Sequence, residues 1–301
     1  MPALIKDIWK SRRFYGYLAP TFLLLFVFCY YPPLSAMYHA FFDWNGANKL
    51  KYIGMDNFKE LFLSDQYFRI SMANVSKLIL FAMVVIISVN ILAAELIFHL
   101  KKKRGQDFYR FLFVIPMVVP GIVSLLLWQF MLDPNYGLVN AILRGIGLPQ
   151  LQQAWLGDPS TALLSFMIIG FPWIGGVTVL ILLAGLQNIT TSIMDTAAID
   201  GATGFHRIWH IDLPLIMGQI KLLVVMTIIG GLQGFGSQLI LTYGGPGVST
   251  LTPGLHMYMN AFNFDRMGYA CAIGFVLFLL ILSLTYLNMH FMKSSVEYEG
   301  Q

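Results

Sequence analysis

A dense group of residues whose types could do chemistry lies in one polar stretch, DTAAIDGATGFHRIWHIDLP, at positions 195–214. It carries three Asp, two His and one Arg, yet it lies between two long apolar runs. His206 and His210 have the i, i+4 spacing of a metal-binding helix, but the Glu and the third ligand of such a motif do not accompany them. We interpret them as a surface pair, and we predict no catalytic group, no metal and no cofactor for this chain.

The same stretch has the pattern of a helix that ends in a glycine turn. We call residues 190–214 the polar insert. Ser192 and Asp195 have the spacing of a capping box, with an acid in the first helical turn. Residues that favour a helix run to about Asp200. Gly201 can then adopt the left-handed backbone conformation that ends a helix.

A second short helix is predicted after that turn. Thr203 can begin it, and Phe205, Ile208 and Trp209 recur at helical spacing on one apolar side. Pro214 should break the chain before the next apolar run. The residues leave two roles open: an amphipathic hairpin lying on lipid headgroups, or a knob that docks into a groove of a cytoplasmic protein. A lipid-bound helix would carry more cations than one Arg among three Asp, which favours the protein partner.

Two other candidate sites are weaker. The sequence GGPGVST at 244–250 looks like a phosphate-binding loop, but it lacks the Lys of that motif, so we interpret it as a Gly/Pro turn. Glu95 is an acid within an apolar run, and such residues often mark functional sites. It lies near the end of its run, where it can snorkel or pair with His99 one turn on, and we favour that interpretation.

The elements that position these residues must be membrane helices. The chain is 57% hydrophobic and only 11% charged, whereas soluble domains carry about 25% charged residues. A spanning helix needs about 20 mostly apolar residues. Six stretches meet this length, and they predict an all-α polytopic protein with six transmembrane helices: 15–40, 74–99, 108–131, 161–184, 219–243 and 267–290. The first is too long for a signal peptide and has no convincing cleavage site.

Lys and Arg near the ends of these stretches predict the orientation. With both termini in the cytoplasm, the cytoplasmic side receives twelve of these cations and the outer side six. The strongest signal is the cluster KKKR at 101–104, and Lys6, Lys10, Arg12, Arg13 and Lys293 contribute. The polar insert is then cytoplasmic, and residues 43–70 and 133–159 form compact, partly helical outer caps. No basic, aromatic-interleaved surface indicates a nucleic-acid partner.

The polar insert resembles the "EAA loop" of ABC importer permeases, which reads E-A-A-x-x-D-G-A with an L-P eleven residues on. The motif matches Asp200-Gly201-Ala202 and Leu213-Pro214 in identity and spacing. Asp195 stands where the family has Glu, and Thr196 replaces the first paired alanine. The resemblance implies that the insert couples the permease to a separate ATPase through these residues: Asp195, Ala197, Ala198, Asp200, Gly201, Ala202, Phe205, Trp209 and Pro214.

The resemblance extends over nearly the whole chain. YYPPLSAMYHAFFDWNG (30–46) and YIGMDNFKELF (52–62) look like the first span and outer loop of maltose- and glycerol-phosphate-type permeases. TYGGPGVSTLT (242–252) and MGYACAIGFVLFLLIL (267–282) resemble their outer loop and final span. The implied fold is that of a type I ABC importer permease in the inner membrane. Its parts would be an N-terminal segment with the first span and outer loop (1–70), a permease core (71–290) and a cytoplasmic tail (291–301).

The resemblance also implies the partners and the task. The chain would pair with a second, homologous permease, two cytoplasmic ATP-binding subunits and an extracytoplasmic solute-binding protein, and it would import a sugar across the lipid bilayer without hydrolysing ATP itself. Rival functions are an ion-coupled secondary transporter, a permease for glycerol-3-phosphate, or a membrane enzyme or receptor. A secondary transporter would require carboxylates at mid-depth in the membrane, and these are scarce in the sequence. A membrane enzyme or receptor would require a catalytic cluster, and we find none in the sequence.

A substrate path is predicted on the two spans that flank the polar insert, in GFPWIGG (170–176) and TIIGGLQGFGSQ (227–238). Gly and Pro inside spans are tolerated where helices pack closely or line a cavity. Helix packing alone is an open alternative, since Gly230 and Gly234 form G-x-x-x-G. The predicted path residues are Gly170, Trp173, Thr227, Gly231, Gln233, Gly234 and Gln238.

Overall fold

The computed structural model describes residues 12–291. Lys6, Lys10 and Lys293, which the orientation prediction counts, lie outside the described residues, as does the predicted tail beyond Phe291. The described chain is helical apart from one small hairpin, which confirms the predicted all-α class. It divides into two compact units, residues 12–65 with 257–276 and residues 66–256 with 277–291.

The first unit begins with a long, exposed apolar helix. Its α-helical parts, Arg12–Leu25 and Tyr31–His39, are joined by a π-helical turn, Phe26–Tyr30. Residues Phe14–His39 are long and apolar enough to cross a membrane, and their most apolar window is not buried within the chain. This agrees with the predicted first span over 15–40.

A small antiparallel hairpin follows this helix. Its strands are β1 (Phe42–Trp44) and β2 (Leu50–Tyr52), and the chain continues into the helix Asp56–Lys59 and the π-helical turn Glu60–Ser64. The register pairs Phe42 with Tyr52, Asp43 with Lys51 and Trp44 with Leu50. The outer cap expected over 43–70 is therefore partly helical, with a hairpin that the sequence pattern did not indicate.

Two side chains fasten this region. Asn57 is buried, and its amide donates to the carbonyl oxygens of Ala40 at 2.8 Å and Phe42 at 3.0 Å. Arg266 donates to Glu60 Oε2 at 2.6 Å, and this hydrogen bond raises the pKa of the guanidinium above its ordinary value. The hairpin and the helix after it are thus held by polar contacts in addition to packing.

The second unit is organised around one long helix, Gln66–Phe98. A π-helical turn, Ala82–Ile86, joins its α-helical parts, Gln66–Phe81 and Ile87–Phe98. The helix begins at Gln66 rather than at residue 74, because a helix can continue beyond its apolar stretch where polar side chains find partners. Ser71, for example, is buried, and its Oγ donates to the Phe68 carbonyl at 2.7 Å.

The predicted fourth span, 161–184, is not one continuous helix, and that prediction is wrong in its middle. Between its helical parts, Gly170 and Trp173 have positive φ angles of 88° and 61°. Pro172 lacks the N–H that a helix would require. Because no regular helix accommodates these conformations, the segment divides. Its helical parts are Ala162–Ile168 and Gly176–Gln187.

Sharp bends also divide other apolar segments. The described chain has three helices long and apolar enough to cross a membrane, or up to six if each bent pair counts as one span, so six spans fit the upper count. The bent pairs are Lys103–Val118 with Gly121–Met131 (87°), Gly176–Gln187 with Thr191–Ile199 (73°), and Gly204–Leu215 with Met217–Gln233 (70°). Other helical elements are Leu138–Gly145, Pro149–Leu151, Gly236–Leu241, Pro253–Phe262 and Met267–Phe291.

The core of the second unit lies beside the polar insert. It joins the end of the helix Gln66–Phe98 to the helices on both sides of the insert, through buried Ala93, Ala94, Ile97, Val179, Leu182, Leu183, Leu186, Ile216 and Leu223. A Cβ at Gly185 would lie 2.7 Å from Gln219 Cδ, so only glycine allows this close approach. Ile216, two residues after the insert, is fully buried. The ends of the insert are therefore fixed in a packed core.

Candidate functional site

The first helix of the polar insert is Thr191–Ile199. Its N-cap is Thr190 rather than Ser192, and no side chain caps it, so the predicted capping box is wrong. Ser192 already lies inside the helix, where its hydroxyl is 3.1 Å from that of Thr190. Local pairing of two hydroxyls has replaced the reciprocal bonds of a capping box, and Asp195 is left exposed on the helix.

The predicted glycine stop is confirmed. Gly201 has a φ of 74°. The Ala202 N–H donates to the Ala197 carbonyl at 2.9 Å, and the Gly201 N–H donates to the Ala198 carbonyl at 3.2 Å. This pair of bonds is the Schellman arrangement that satisfies the last carbonyls of a helix. Ala197 is buried beneath it, whereas Asp200 remains exposed.

The second helix begins at Gly204 with Thr203 as its N-cap, as predicted. It continues through a π-helical turn, Ile208–Asp212, and through Leu213–Leu215, so Pro214 does not break it. The π-helical turn widens the backbone just before the proline ring, where a regular helix would clash. The break comes instead at Ile216, before a bend of 70° into Met217–Gln233.

Three large apolar side chains form an exposed tip on the insert. Ile199 is 85% exposed, Phe205 76% and Trp209 60%. The rings of Phe205 and Trp209 are nearly parallel, with centroids 6.3 Å apart. We call Ile199, Phe205 and Trp209 the apolar tip. Such exposed apolar groups on an otherwise polar segment indicate a binding surface.

The histidine pair lies beside this tip. His206 and His210 have ring centroids 4.2 Å apart, and His210 Nδ1 is 3.0 Å from the His206 carbonyl oxygen. Among the described residues, the group that could hold a metal is a different one, Glu95, His99 and Asp212. The spacing of the pair therefore reflects a helical turn. Asp212, which no sequence motif singled out, lies fully buried at the base of the insert.

A cavity of about 390 Å³ lies between the long helix and the segment after the insert. Four of the predicted path residues line it: Thr227, Gly231, Gly234 and Gln238. The other lining residues are Val75, Leu78, Ile79, Ala82, Ile86, Gly230, Ser237 and Thr252. The cavity combines apolar walls with an amide and three hydroxyls, which is typical of a small-molecule site.

The polar groups of this cavity are fixed by local bonds. Thr227 Oγ1 donates to the Leu223 carbonyl at 2.8 Å, and Ser237 Oγ donates to Gln238 Oε1 at 3.0 Å. Gln238 is 6% exposed. Its amide oxygen already accepts a bond from Ser237, and its amide NH₂ supplies donor groups for a polar solute.

Close packing operates at the same place. A Cβ on Gly231 would lie 2.4 Å from Ile79 Cγ1, whereas a Cβ on Gly230 would meet nothing within 4 Å. Gly231 therefore allows two helices to touch, and Gly230 borders open space. Both glycines line the cavity, and of the two only Gly231 also makes the close helix contact.

The remaining predicted path residues lie elsewhere: Gly170, Trp173 and Gln233 are absent from the cavity lining. Trp173 is held by hydrogen bonds: its indole N–H donates to the Met167 carbonyl at 2.8 Å. Its own carbonyl accepts from the Asn90 amide at 2.9 Å, and Asn90 Oδ1 accepts from the Gly175 N–H at 2.7 Å. Asn90, an unpredicted and fully buried residue, thus ties the non-helical segment to the long helix.

The GGPGVST segment forms a turn, in agreement with its sequence interpretation. Tyr243 and Gly244 have positive φ angles of 54° and 86°. Thr250 Oγ1 donates to the Gly245 carbonyl at 2.8 Å and lies 2.7 Å from Thr242 Oγ1. These bonds close the turn on itself and occupy the Thr250 hydroxyl, whereas Ser249 Oγ is buried with no hydrogen-bond partner among the described residues.

Comparisons with known proteins support the resemblance. Residues 86–294 match a family described as "binding-protein-dependent transport system inner membrane component". The probable ABC transporter permease protein YurN of Bacillus subtilis is 33% identical over 284 residues, which cover 94% of this chain and 97% of that protein. The multiple sugar-binding transport system permease protein MsmF of Streptococcus mutans is 30% identical over 281 residues, with 92% and 94% coverage.

A solved structure shares the fold. It is that of a bacterial ABC transporter involved in the import of the acidic polysaccharide alginate. The matching chain superposes with a TM-score of 0.81 at 23% identity, covering 97% of this chain and 100% of that chain. At this level of identity the similarity establishes the architecture.

Proposed function

Because the chain belongs to the family of binding-protein-dependent transport system inner membrane components, we propose that it is the permease subunit of an ATP-driven carbohydrate importer. The name of the related MsmF protein, which refers to multiple sugars, supports this substrate class. The family is one of transport components rather than enzymes. The chain would sit in the inner membrane with both termini in the cytoplasm.

The observation that carries the proposal is the apolar tip. Ile199, Phe205 and Trp209 are held away from the core by a helix that ends in a Schellman turn, and water surrounds them in the isolated chain. An amphipathic helix with such side chains fits a hydrophobic groove on a partner. We assign that groove to a cytoplasmic ATP-binding subunit, in keeping with the resemblance of the insert to the EAA loop.

The exposed acids next to the tip complement this surface. Asp195 lies within the first helix and Asp200 is its C-cap; both are exposed, whereas Ala197 and Ala202 are at least partly buried. Rim charges of this kind mainly set the orientation and the rate of docking, and buried apolar anchors supply most of the affinity. We therefore expect Phe205 and Trp209 to supply most of the affinity for the partner, and Asp195 and Asp200 to orient the insert during docking.

The residues that line the cavity favour a neutral, polar solute. Among the residues that line it there is an amide and there are hydroxyl groups, but no cationic and no acidic side chain. A glycerol phosphate would call for Arg or Lys at its phosphate, and an ion-coupled transporter would call for carboxylates at the coupling site. This favours a sugar over both alternatives. The second permease and the solute-binding protein would complete the path.

The direct test is reconstitution. The chain would be purified with its companion permease, two ATP-binding subunits and solute-binding protein, and placed in liposomes with candidate oligosaccharides outside. We expect uptake that requires both ATP inside and the binding protein outside. Uptake driven by an ion gradient without ATP would contradict the proposal, as would a chain that never co-purifies with an ATPase.

Glycerol-3-phosphate serves as the matched competitor solute in the same vesicles. We expect an excess of it to leave oligosaccharide uptake unchanged, because no cation lines the cavity. Strong competition by glycerol-3-phosphate would assign the path to a phosphate ester and would contradict the sugar assignment while preserving the ATP-driven mechanism.

A further inference from the structure

Two elements of the second unit meet through charged side chains at the base of the polar insert. Glu95 and His99 lie at the end of the long helix Gln66–Phe98, and Asp212 lies in the insert. Ligand atoms of these three residues all lie within 4.8 Å of one another. Arg207, also in the insert, places its Nε 3.3 Å from both carboxylate oxygens of Asp212.

The guanidinium of Arg207 reaches the long helix as well. Its Cζ lies 5.7 Å from the ring centroid of Phe98, within the range of a cation–π contact. His99 Nδ1 is 3.5 Å from Glu95 Oε2 and 2.9 Å from the main-chain oxygen of Glu95. Each element therefore contributes one acid and one base, and the four groups form two pairs with a contact across the interface.

The two acids are removed from water. Asp212 is fully buried, and Glu95 is 3% exposed. Burying a carboxylate is costly unless a positive partner and hydrogen bonds compensate. Packing alone does not explain two buried carboxylates, because apolar residues of similar size would stabilise the same positions at least as well.

Hydrogen bonding in this cluster is incomplete. Glu95 Oε1, Glu95 Oε2 and Asp212 Oδ2 are buried and have no hydrogen-bond partner among the described residues. Buried polar atoms are nearly always satisfied, and an exception is often a reservoir of strain at a functional position. Three carboxylate oxygens lack a hydrogen bond in this arrangement, and a small shift of the insert can bring them closer to a donor.

The long helix connects this cluster to the cavity. Val75, Ile79, Ala82 and Ile86 of the same helix line the cavity, and Glu95 follows at its far end. A movement imposed at Glu95 would therefore reach the cavity wall along one continuous element. A packed helix of this kind transmits displacement rather than absorbing it.

We propose that Glu95, His99, Arg207 and Asp212 form an ionic joint that transmits movement of the polar insert to the cavity wall. The inference rests on the proposed function, since it assumes that an ATP-binding subunit moves the insert. The four are positioning residues: they touch neither solute nor nucleotide. Docking at the apolar tip shifts Arg207 and Asp212, and the contact of Arg207 with Phe98, beside the closely approaching Glu95 and Asp212, draws the end of the long helix with them.

A divalent cation is the competing occupant of the same cluster. Two carboxylates and an imidazole are suitable ligands for zinc or manganese. Two features argue against a bound divalent cation. The Arg207 guanidinium already lies against Asp212, and His99 Nδ1 lies within hydrogen-bond distance of a main-chain oxygen. Each acid therefore already has a basic group beside it, His99 for Glu95 and Arg207 for Asp212.

The test uses the reconstituted complex with Glu95→Gln and Asp212→Asn, which keep the side-chain shape and remove the charge, and with Arg207→Gln, which removes the charge and shortens the side chain. We expect assembly and basal ATP hydrolysis to remain within about twofold of wild type, and stimulation by loaded binding protein to fall at least tenfold. The double variant Glu95→Gln/Arg207→Gln should be no worse than the worse single variant, because coupled positions are not additive. Asp107→Asn is the matched control: Asp107 pairs with Arg110 in an exposed ion pair, and its loss should change nothing.

A second readout follows the helix itself. Ala82→Cys, in a background without Cys29 and Cys271, reports the accessibility of the cavity wall to a thiol reagent. Nucleotide binding should change the labelling rate of the reporter several-fold in the otherwise unaltered protein and leave it unchanged in the Arg207→Gln and Asp212→Asn proteins. This readout needs no sugar, so it decides the joint even if the transported solute proves not to be a carbohydrate.

Three results would overturn the joint. The first is normal stimulation and normal thiol response in all three charge variants. The second is a parallel loss of assembly, basal hydrolysis and stimulation, which would make the cluster purely structural. The third is stoichiometric zinc or manganese in chelator-free wild-type complex that disappears in Asp212→Asn. Failure of ATP-driven sugar uptake in wild type would instead contradict the proposed function.

Discussion

The polar insert and the cavity place their polar and apolar side chains in opposite ways. In the insert, Phe205 and Trp209 face solvent, whereas the acid Asp212 is buried. In the cavity, Gln238 and Thr252 are buried among apolar walls. The insert thus exposes large aromatic side chains, which the surface of a soluble protein usually buries. The cavity buries amide and hydroxyl groups, which a lipid-facing surface cannot expose.

The difference assigns different partners to the two regions. Exposed aromatic side chains gain free energy when a protein groove or lipid removes them from water. Buried amide and hydroxyl groups gain only when a polar solute or water completes their hydrogen bonds. The contrast supports the proposal that one region is a docking surface and the other a solute path, with the proposed ionic joint as the place where the two roles would be coupled.

Removal of the apolar tip should have the largest effect. The double variant Phe205→Ala/Trp209→Ala deletes two aromatic anchors, and truncation of an interface hot spot costs about 2 kcal/mol or more, which is roughly 30-fold in affinity. We expect the ATP-binding subunits to be lost on purification and uptake to become undetectable. Co-purification and vesicle uptake measure both.

His206→Gln is the matched control for that variant. His206 lies between the two aromatic residues and is exposed, but it does not belong to the apolar tip. Its replacement should leave ATPase association unchanged. If the double variant retained normal association, or if the control lost it equally, the insert would not dock through its aromatic side chains and the contrast with the cavity would disappear.

An intermediate effect is expected at the cavity from Gly231→Ala. Its Cβ would lie 2.4 Å from Ile79 Cγ1, so the two helices must separate. Overpacking of this kind typically costs about 1–3 kcal/mol. We expect a lower thermal unfolding midpoint and several-fold slower uptake, while ATPase association persists. Thermal unfolding in detergent and vesicle uptake would be compared on the same preparation.

Gly230→Ala supplies the control, because its Cβ meets nothing within 4 Å in the same helix. It should be tolerated and can gain up to about 1 kcal/mol of helix propensity. Ile79→Ala combined with Gly231→Ala should recover part of the lost stability, since it removes the atoms in conflict. An equal loss of stability and uptake in both glycine variants would contradict the assignment of the close helix contact to Gly231 and not Gly230.

The insert could be predicted from sequence because its signals are local. The stop at Gly201 and the N-cap at Thr203 depend on residues within one or two turns. The failures there were also local in origin: Thr190 took the N-cap position, and the π-helical turn let the chain pass Pro214. A sequence pattern does not show which of two adjacent hydroxyl residues will begin a helix.

The cavity was harder to predict because its lining depends on contacts distant in sequence. Gly231 and Gln238 were found from their composition, but the opposite wall, including Ile79 and Ala82, comes from a helix about 150 residues away. The sequence did not indicate that Asn90 holds the segment of Trp173, and the sugar contact of Trp173 stays a prediction. Asp212 escaped notice because only the folded chain reveals that its carboxylate is buried.

The smallest effect is expected from Gly201→Ala, which tests whether the tip must be held in one orientation. Gly201 has a φ of 74° and no neighbour within 4 Å of a Cβ, so the variant meets backbone strain without a steric clash. A left-handed conformation costs a residue with a Cβ about 1–2 kcal/mol. We expect ATPase affinity to fall by roughly tenfold at most, with uptake reduced but measurable. Gly201→Asn should lie between wild type and Ala, because Asn tolerates this conformation better. Should Ala and Asn behave alike and match wild type, the Schellman turn would not position the apolar tip, and docking would depend on the aromatic side chains alone.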